Sequence, residues 1–433
     1  MQRFDWNQID APGREAALAR PAANAGDLQQ GVAEIIARVR QGGDAALREL
    51  TQRFDGCTPE SLEVTPASLE ASSDTVTAEL EDAIAEAMQR IEAFHAAGMP
   101  GDTRLETAPG LSCEARYLPI RRVGLYIPGG SAPLISTVLM LAVPARLAGC
   151  GEVVLCSPPT PEGDIHPAIR YAAGRCGVTR LFRVGGAQAI AAMAYGTESV
   201  PKCDKLFGPG NAWVTEAKRQ VAADPQGAAQ DLPAGPSEVL VIADAGADPH
   251  VVCWDMLSQA EHGPDSQAIV VSDSDALLDG VQERLPALVE TLPRASVLSQ
   301  SLRHARLIRV DSLAQAIAVS NRYAPEHLII NCEPATPLAE QVTNAGSVFL
   351  GRWTPESLGD YCSGTNHVLP TNGYARAFGG LSVVDFQRRM TLQQATPEAL
   401  ATAGRAAMVL AEAEGLTAHR EAVACRLPEP GRG

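Results

Sequence analysis

Val123-Gly124-Leu125-Tyr126-Ile127-Pro128-Gly129-Gly130-Ser131 reads as a short apolar strand running straight into a proline–glycine turn. The same phrase recurs downstream. Val153–Cys156 is followed by Pro158-Pro159, and Leu181–Val184 by Gly185-Gly186-Ala187-Gln188 and a helix through Tyr195. Lys205–Phe207 leads into Gly208-Pro209-Gly210-Asn211 and a helix through Val221. Strands that alternate with helices and end in glycine predict a parallel, doubly wound α/β sheet. Val239–Ala243 and Ile269–Ser272 resume the rhythm, so a second α/β unit begins near residue 238. Leu328–Ile330 and Val348–Leu350 continue it.

Outside this region the texture differs. Residues 1–26 form an arm in which Trp6, Pro12 and Pro21 interrupt any period. From Asp27, a good N-cap, Val32, Ile35, Ile36 and Val39 follow helical spacing, and Gly42-Gly43-Asp44 ends that helix and caps the next. A longer helix is expected over 77–97. After about residue 382 the chain reads as helical, with Leu400, Ala403, Ala407, Leu410 and Ala411 on one stripe. Such a stripe needs a covering surface, in this chain or a second copy.

At 433 residues the chain exceeds one ordinary core and should divide into domains. Its 35 basic and 51 acidic residues give 35 − 51 = −16, an anionic balance that disfavours nucleic-acid and acidic-membrane partners. The polar start Met1–Trp6 carries no secretory pattern, and the most apolar stretch, 132–145, is too short to span a bilayer. Ten cysteines without a Cys-x-x-Cys pair point to buried free thiols and a reducing, cytoplasmic setting.

Polar clusters sit at breaks in the pattern. Pro325-Glu326-His327 opens an apolar strand, Gln259-Ala260-Glu261-His262 precedes Gly263-Pro264, and Asp360 lies in a loop with His367. His419 follows a glycine-terminated helix. Each has a plain reading: His262 capping the last carbonyls of its helix, His419 on a helix surface, Glu326 and His327 exposed at a strand start. Gln259 and His262, at i, i+3, share one helix face. Two histidines, a carboxylate and an amide oxygen form a nitrogen–oxygen set suited to Zn²⁺ or Mn²⁺. A base and an acid without an obvious nucleophile suit metal-assisted redox or hydrolytic chemistry on a small molecule. No turn is Gly-x-Gly-x-x-Gly, and Cys156-Ser157-Pro158 stands where a Rossmann strand would carry its ribose-binding carboxylate. The turns therefore read either as plain strand-to-helix geometry or as phosphate or dinucleotide contacts.

Taken together, long strings of this chain resemble the histidinol dehydrogenase family. They include 124–131, 185–190, 207–211, 233–238, 259–267, 325–328, 359–361 and 364–370, followed by Glu414 and Leu416-Thr417-Ala418-His419. The resemblance implies two incomplete Rossmann-like, doubly wound α/β domains with an N-terminal arm and a helical tail, in an intertwined homodimer. The division expected is 1–26 for the arm, 27–125 with 238–381 for a catalytic domain, 126–237 for an NAD-contacting domain, and 382–433 for the tail. It implies oxidation of L-histidinol through its aldehyde to L-histidine with two NAD⁺. Gln259, His262, Asp360 and His419 would hold zinc, one ion per subunit. Substrate contacts would come from Ser237, Gln259, His262, His327, Asp360, His367, Glu414 and His419. Tyr126, Gln188 and Asn211 would contact NAD. His327, as a neutral imidazole near pKa 6–7, would take the hydroxyl proton, and Glu326 would activate water in the second step. Glu414 and His419 would arrive from the partner subunit. Cys362, beside Asp360, stands where the family usually has a small residue. Two other functions fit parts of the pattern: a related zinc/NAD dehydrogenase of another small alcohol such as a sulfonated diol, and a zinc hydrolase of a small amide. The hydrolase has no use for glycine turns at strand ends.

Overall fold

The computed structural model describes residues 1–21, 25–65, 69, 76–129, 133–233 and 235–427. Gly130 and Ser131 of the opening turn, and Ala234 of the 233–238 string, lie outside this set. Fifteen strands form three sheets among the described residues.

The first sheet has the order β2-β7-β6-β5-β8-β9, built from Glu63–Val64, Arg180–Arg183, Glu152–Ser157, Arg122–Tyr126, Lys205–Phe207 and Ala229–Gln230. All pairs are parallel except the edge strand β2, which runs antiparallel to β7. The second sheet has the order β1-β12-β11-β10-β13-β14, all parallel, from Gln2–Asp5, Arg306–Arg309, Gln267–Ser272, Glu238–Ala243, His327–Asn331 and Ser347–Leu350. In both sheets the chain moves outward from a central strand (β5, β10), then returns to that strand's other side (β8, β13). That reversal is the switch point at which doubly wound sheets leave a crevice. β3 (Thr103–Ala108), β4 (Leu111–Pro119) and β15 (Gln387–Ala395) make a small antiparallel sheet.

Strand alternation divides the cores. Val123 and Leu125 point into one cluster with the helix Ile135–Leu147, while Tyr126 points into the other with the helix Gly186–Tyr195. In β10, Val239 and Val241 serve one face and Leu240 and Ile242 the other. Each such fully buried branched side chain contributes ~1.5–3 kcal/mol relative to exposure.

The pairing corrects the expected division. Helix Ala25–Phe54 buries Val32, Ile36 and Leu50 against the first sheet, and helix Ala78–Ala97 buries Ile84 and Ile91 there. The helices Ala25–Phe54 and Ala78–Ala97 and the strand β5 thus belong with 126–237, and the boundary set at 125/126 falls inside β5. The arm joins a sheet: β1 adds an edge to the second sheet and Trp6 enters its core, because pairing with β12 supplies the regularity its local sequence lacks. In the expected helical tail, Gln387–Ala395 is instead a strand, since all nine residues pair with β4. The Gly42-Gly43 break is present, with Gly43 at φ 50° interrupting the helix. The ten cysteines are unpaired, six of them buried. No described helix is long and apolar enough to cross a membrane.

Candidate active site

Of the expected residues, Gln259, Glu326, His327 and Asp360 meet at the amino ends of β10 and β13, not at carboxyl ends. The helix Leu313–Tyr323 stops at Ala324, whose left-handed backbone (φ 56°, ψ 68°) turns the chain before Pro325. The bend solves a geometric problem, because successive strand residues normally face opposite sides. Here Glu326 Oε2 and His327 Nδ1 approach to 3.6 Å. Both side chains are buried. The carbonyls just before each member of the pair are held by the chain entering β14: Gly346 N–H donates to Pro325 (3.0 Å) and Ser347 N–H to Glu326 (2.9 Å).

Glu238 organises the centre. Its N–H donates to Glu326 Oε2 (2.8 Å) and its carbonyl oxygen lies 3.2 Å from His327 Nδ1. Its own carboxylate is gripped by Arg20 through Nε (2.5 Å) and Nη2 (2.9 Å) and accepts the Asn372 N–H (2.8 Å). The arm thereby braces the Glu326–His327 pair from behind, with the Arg20 guanidinium 3.9 Å above the Tyr323 ring.

Asp360 enters on the short helix Glu356–Tyr361, and its Oδ1 lies 3.6 Å from His327 Nε2. One turn earlier, Glu356 is only 1% exposed, and ligand atoms of His327, Glu356 and Asp360 all fall within 4.8 Å of one another. Glu356 is the member of this cluster that the sequence reading missed; its i, i+4 spacing from Asp360 is the signal that places both on one face. Gln259 ends the helix Pro249–Ala260 with no exposure. The amide assignment that satisfies both ends turns its oxygen to the Glu238 N–H (3.0 Å) and its NH₂ to Glu356. His262 follows just past that helix, and its residue is exposed. His367 is locked, Nδ1 2.8 Å from the Asp360 carbonyl and Nε2 3.2 Å from Thr137 Oγ1. Thr137 belongs to the helix after β5, so this contact ties the cluster to the carboxyl edge of the first sheet. Ser237 immediately precedes β10.

The electrostatics follow from crowding three acids, Glu326, Glu356 and Asp360, around the buried His327. Desolvation pushes Glu326 up to about 8, outweighing the His327 charge that opposes it. Desolvation and neighbouring carboxylates raise Glu356 well above the usual range. Desolvation disfavours charged His327, yet Glu356, Glu326 and Asp360 overcome it and raise its pKa to about 10. The expected 6–7 therefore does not describe the metal-free cluster. Burial alone favours protonated Asp360, but His327 holds it below the carboxylate norm. Desolvation lowers both His262 and His367.

Tyr126, Gln188 and Asn211 gather at the carboxyl edge of the first sheet. Gly186 N–H donates to Tyr126 Oη (3.0 Å), and a Cβ on Gly186, at φ 64°, would meet the Gln188 amide at 2.7 Å. Asn211 caps the helix Ala212–Ala223 by accepting from Trp213 and Val214 N–H, both at 3.1 Å. Before it, buried Lys218 pairs with Asp231 and donates to the Gly208 carbonyl (2.9 Å), fixing the Gly208-Pro209-Gly210 turn. Glu414 and His419 are not brought to the cluster. They lie exposed on the hairpin of helices Pro397–Ala413 and Thr417–Ala424, without a side-chain contact to it among the described residues.

Known proteins match this chain over nearly its whole length. The histidinol dehydrogenase family model covers residues 18–427. A histidinol dehydrogenase from Xanthomonas euvesicatoria pv. vesicatoria (strain 85-10) is 57% identical over 99% of each chain, and one from Xylella fastidiosa (strain Temecula1) 56% over 99% of each. The crystal structure of histidinol dehydrogenase from Elizabethkingia anophelis superposes with a TM-score of 0.93, at 44% identity and 98% coverage of both chains. The chain belongs to the histidinol dehydrogenase family.

Proposed function

We propose that this enzyme oxidises L-histidinol to L-histidine in two NAD⁺-dependent steps at the Glu326–His327–Asp360 cluster. The observation that carries the reading is the orphaned His327 Nε2: buried, without a hydrogen-bond partner, and facing Asp360. Nδ1 faces a carbonyl oxygen, which only accepts, so Nδ1 keeps its proton and Nε2 is the basic atom.

In the first step His327 Nε2 takes the hydroxyl proton while hydride leaves the alcohol carbon for NAD⁺, giving the aldehyde and NADH. In the second, Glu326 accepts a proton from water as it adds to the aldehyde. Hydride then leaves the hydrate for a second NAD⁺, giving the carboxylate. The sum consumes one water and releases three protons, so acceptors at the cluster are used repeatedly.

The donor set fits zinc. Gln259, His262 and Asp360 of one chain and His419 of a second copy would hold it, with Glu356 bearing on the Gln259 amide. Ligation needs the Gln259 oxygen, which accepts from the Glu238 N–H; that N–H has Glu326 as a second acceptor and is not orphaned by its release. When bound, zinc supplies a template for the substrate's amine and imidazole and offsets the carboxylate charge that raises His327. Ser237, His367, Glu414 and His419 would complete the substrate shell, and Tyr126, Gln188 and Asn211 the NAD contacts.

The tail supports a homodimer with a shared site. Val409 and Leu410 are 66% and 63% exposed, and Glu414 and His419 stand away from the cluster they would serve. The test is NADH formation with L-histidinol against short diols, with and without zinc. A zinc-dependent signal confined to histidinol supports the reading; none, or equal rates with diols, refutes it.

A further inference from the structure

We infer that Asp55 is the ribose-recognising carboxylate of the NAD⁺ site, accepting from a hydroxyl of the adenosine half. The inference rests on the NAD⁺ reading above and answers a question that reading leaves open.

In a doubly wound nucleotide fold the ribose carboxylate ends the strand next to the central one. Here that strand is β6, and its last residue is Ser157. Ser157 has no exposure, and its Oγ lies 3.2 Å from where a Gly129 Cβ would stand, with Pro158 Cδ at 3.3 Å. The usual position is therefore sealed and carries no charge, so an acceptor for ribose must reach this edge from another element.

Asp55 does so. It follows directly on the helix Ala25–Phe54, its N–H still donating to the Thr51 carbonyl (2.8 Å). The chain then runs to Leu62, whose carbonyl accepts the Arg183 N–H (2.8 Å) at the carboxyl end of β7. Because β2 is antiparallel to β7, residues 55–62 approach the sheet from the cofactor edge. Leu50 and Leu62 pack in one cluster with Tyr126, Cys156, Val184 and Ala187, the residues flanking the Gly185-Gly186 turn. Asp55 is also near enough to Tyr126 for its charge to raise that phenol.

What marks Asp55 as a ligand group is the lack of partners. Its Oδ2 is buried without a hydrogen bond, and no ion pair to it is formed among the described residues. The residue as a whole is half-buried, and desolvation alone shifts it, up to about 6, so at neutral pH it is a largely ionised acceptor. A ribose hydroxyl supplies the missing donor at no charge. A 2′-phosphate would meet it with like charge, so the same residue selects NAD⁺ over NADP⁺.

Binding is measured directly by calorimetry on the zinc-loaded protein with NAD⁺, its 2′-deoxy- and 3′-deoxyadenosine analogues and NADP⁺, for wild type and Asp55→Asn. Charge-assisted hydrogen bonds set the scale. Wild type should bind at least one deoxy analogue at least about 10-fold more weakly than NAD⁺. Asp55→Asn should lose about the same factor for NAD⁺, lose nothing further with that analogue, and prefer NAD⁺ over NADP⁺ less. Melting temperature and zinc content should hold, which a merely destabilised variant would not show. Unchanged NAD⁺ affinity in Asp55→Asn overturns the inference while leaving the activity reading intact, as does a wild type blind to both deoxy analogues. The analogues decide the matter alone if the variant does not fold. A wild type that binds no NAD⁺ sinks both.

Discussion

His327 Nδ1 lies 3.2 Å from the carbonyl oxygen of Glu238, the residue whose N–H holds Glu326. One backbone unit therefore sets the tautomer of one proposed base and the direction of the other. Replacing His327 by Asn keeps a donor near Nδ1 and deletes Nε2. The overall oxidation should slow roughly 10²–10⁴-fold with zinc still bound, as read by steady-state rates beside metal analysis. Loss of the metal, or a rate within a few-fold of wild type, would remove His327 from that role.

Glu326→Gln retains an acceptor for the Glu238 N–H but not a base. Single-turnover NADH formation from histidinol should survive better than that from histidinaldehyde. Equal losses in both would end the assignment of Glu326 to water activation.

Asp255 shows the sign of the pH dependence most simply. It is 7% exposed, and desolvation lifts its pKa from 3.8 to about 7. A folded pKa above the unfolded one means stability is fully present below about pH 4 and lost as pH rises through about 7. Glu326, raised to about 8, acts in the same direction. In metal-free protein, Asp255→Asn should gain roughly 2–4 kcal/mol relative to wild type between pH 4 and pH 8. Denaturant titrations at both values check it; a difference that does not grow with pH contradicts it.

The parts of the fold legible in the sequence were those whose strands are buried on both faces. Runs such as Val239–Ala243 and Val153–Cys156 read directly, because their apolarity is local. β15 did not, since Gln387–Ala395 is mostly polar and exposed and is a strand only through its long register with β4. The arm failed likewise: β1 is an edge strand whose partner lies some 300 residues away. At the site, Glu326, His327 and Asp360 were marked by the breaks they occupy. Glu356 was not, because a glutamate opening a helix is ordinary until its burial is known. The arm's Arg20, bracing Glu238, has no sequence signal at all.

The tail makes a prediction that one chain cannot satisfy alone. His419→Ala and Asp360→Ala should each lose zinc affinity and activity, and each homodimer should be inactive. Mixed dimers carrying one chain of each should recover up to about half of wild-type activity per dimer, as one of the two sites then has both residues intact. Verified heterodimers without recovery would refute a site shared between subunits.

The most direct measurement is product stoichiometry in a closed reaction of limiting L-histidinol with excess NAD⁺ and zinc-loaded enzyme. One cluster carrying both oxidations predicts two NADH and one L-histidine per histidinol consumed, with no free aldehyde trapped by semicarbazide. One NADH per histidinol, with the aldehyde accumulating, would contradict it.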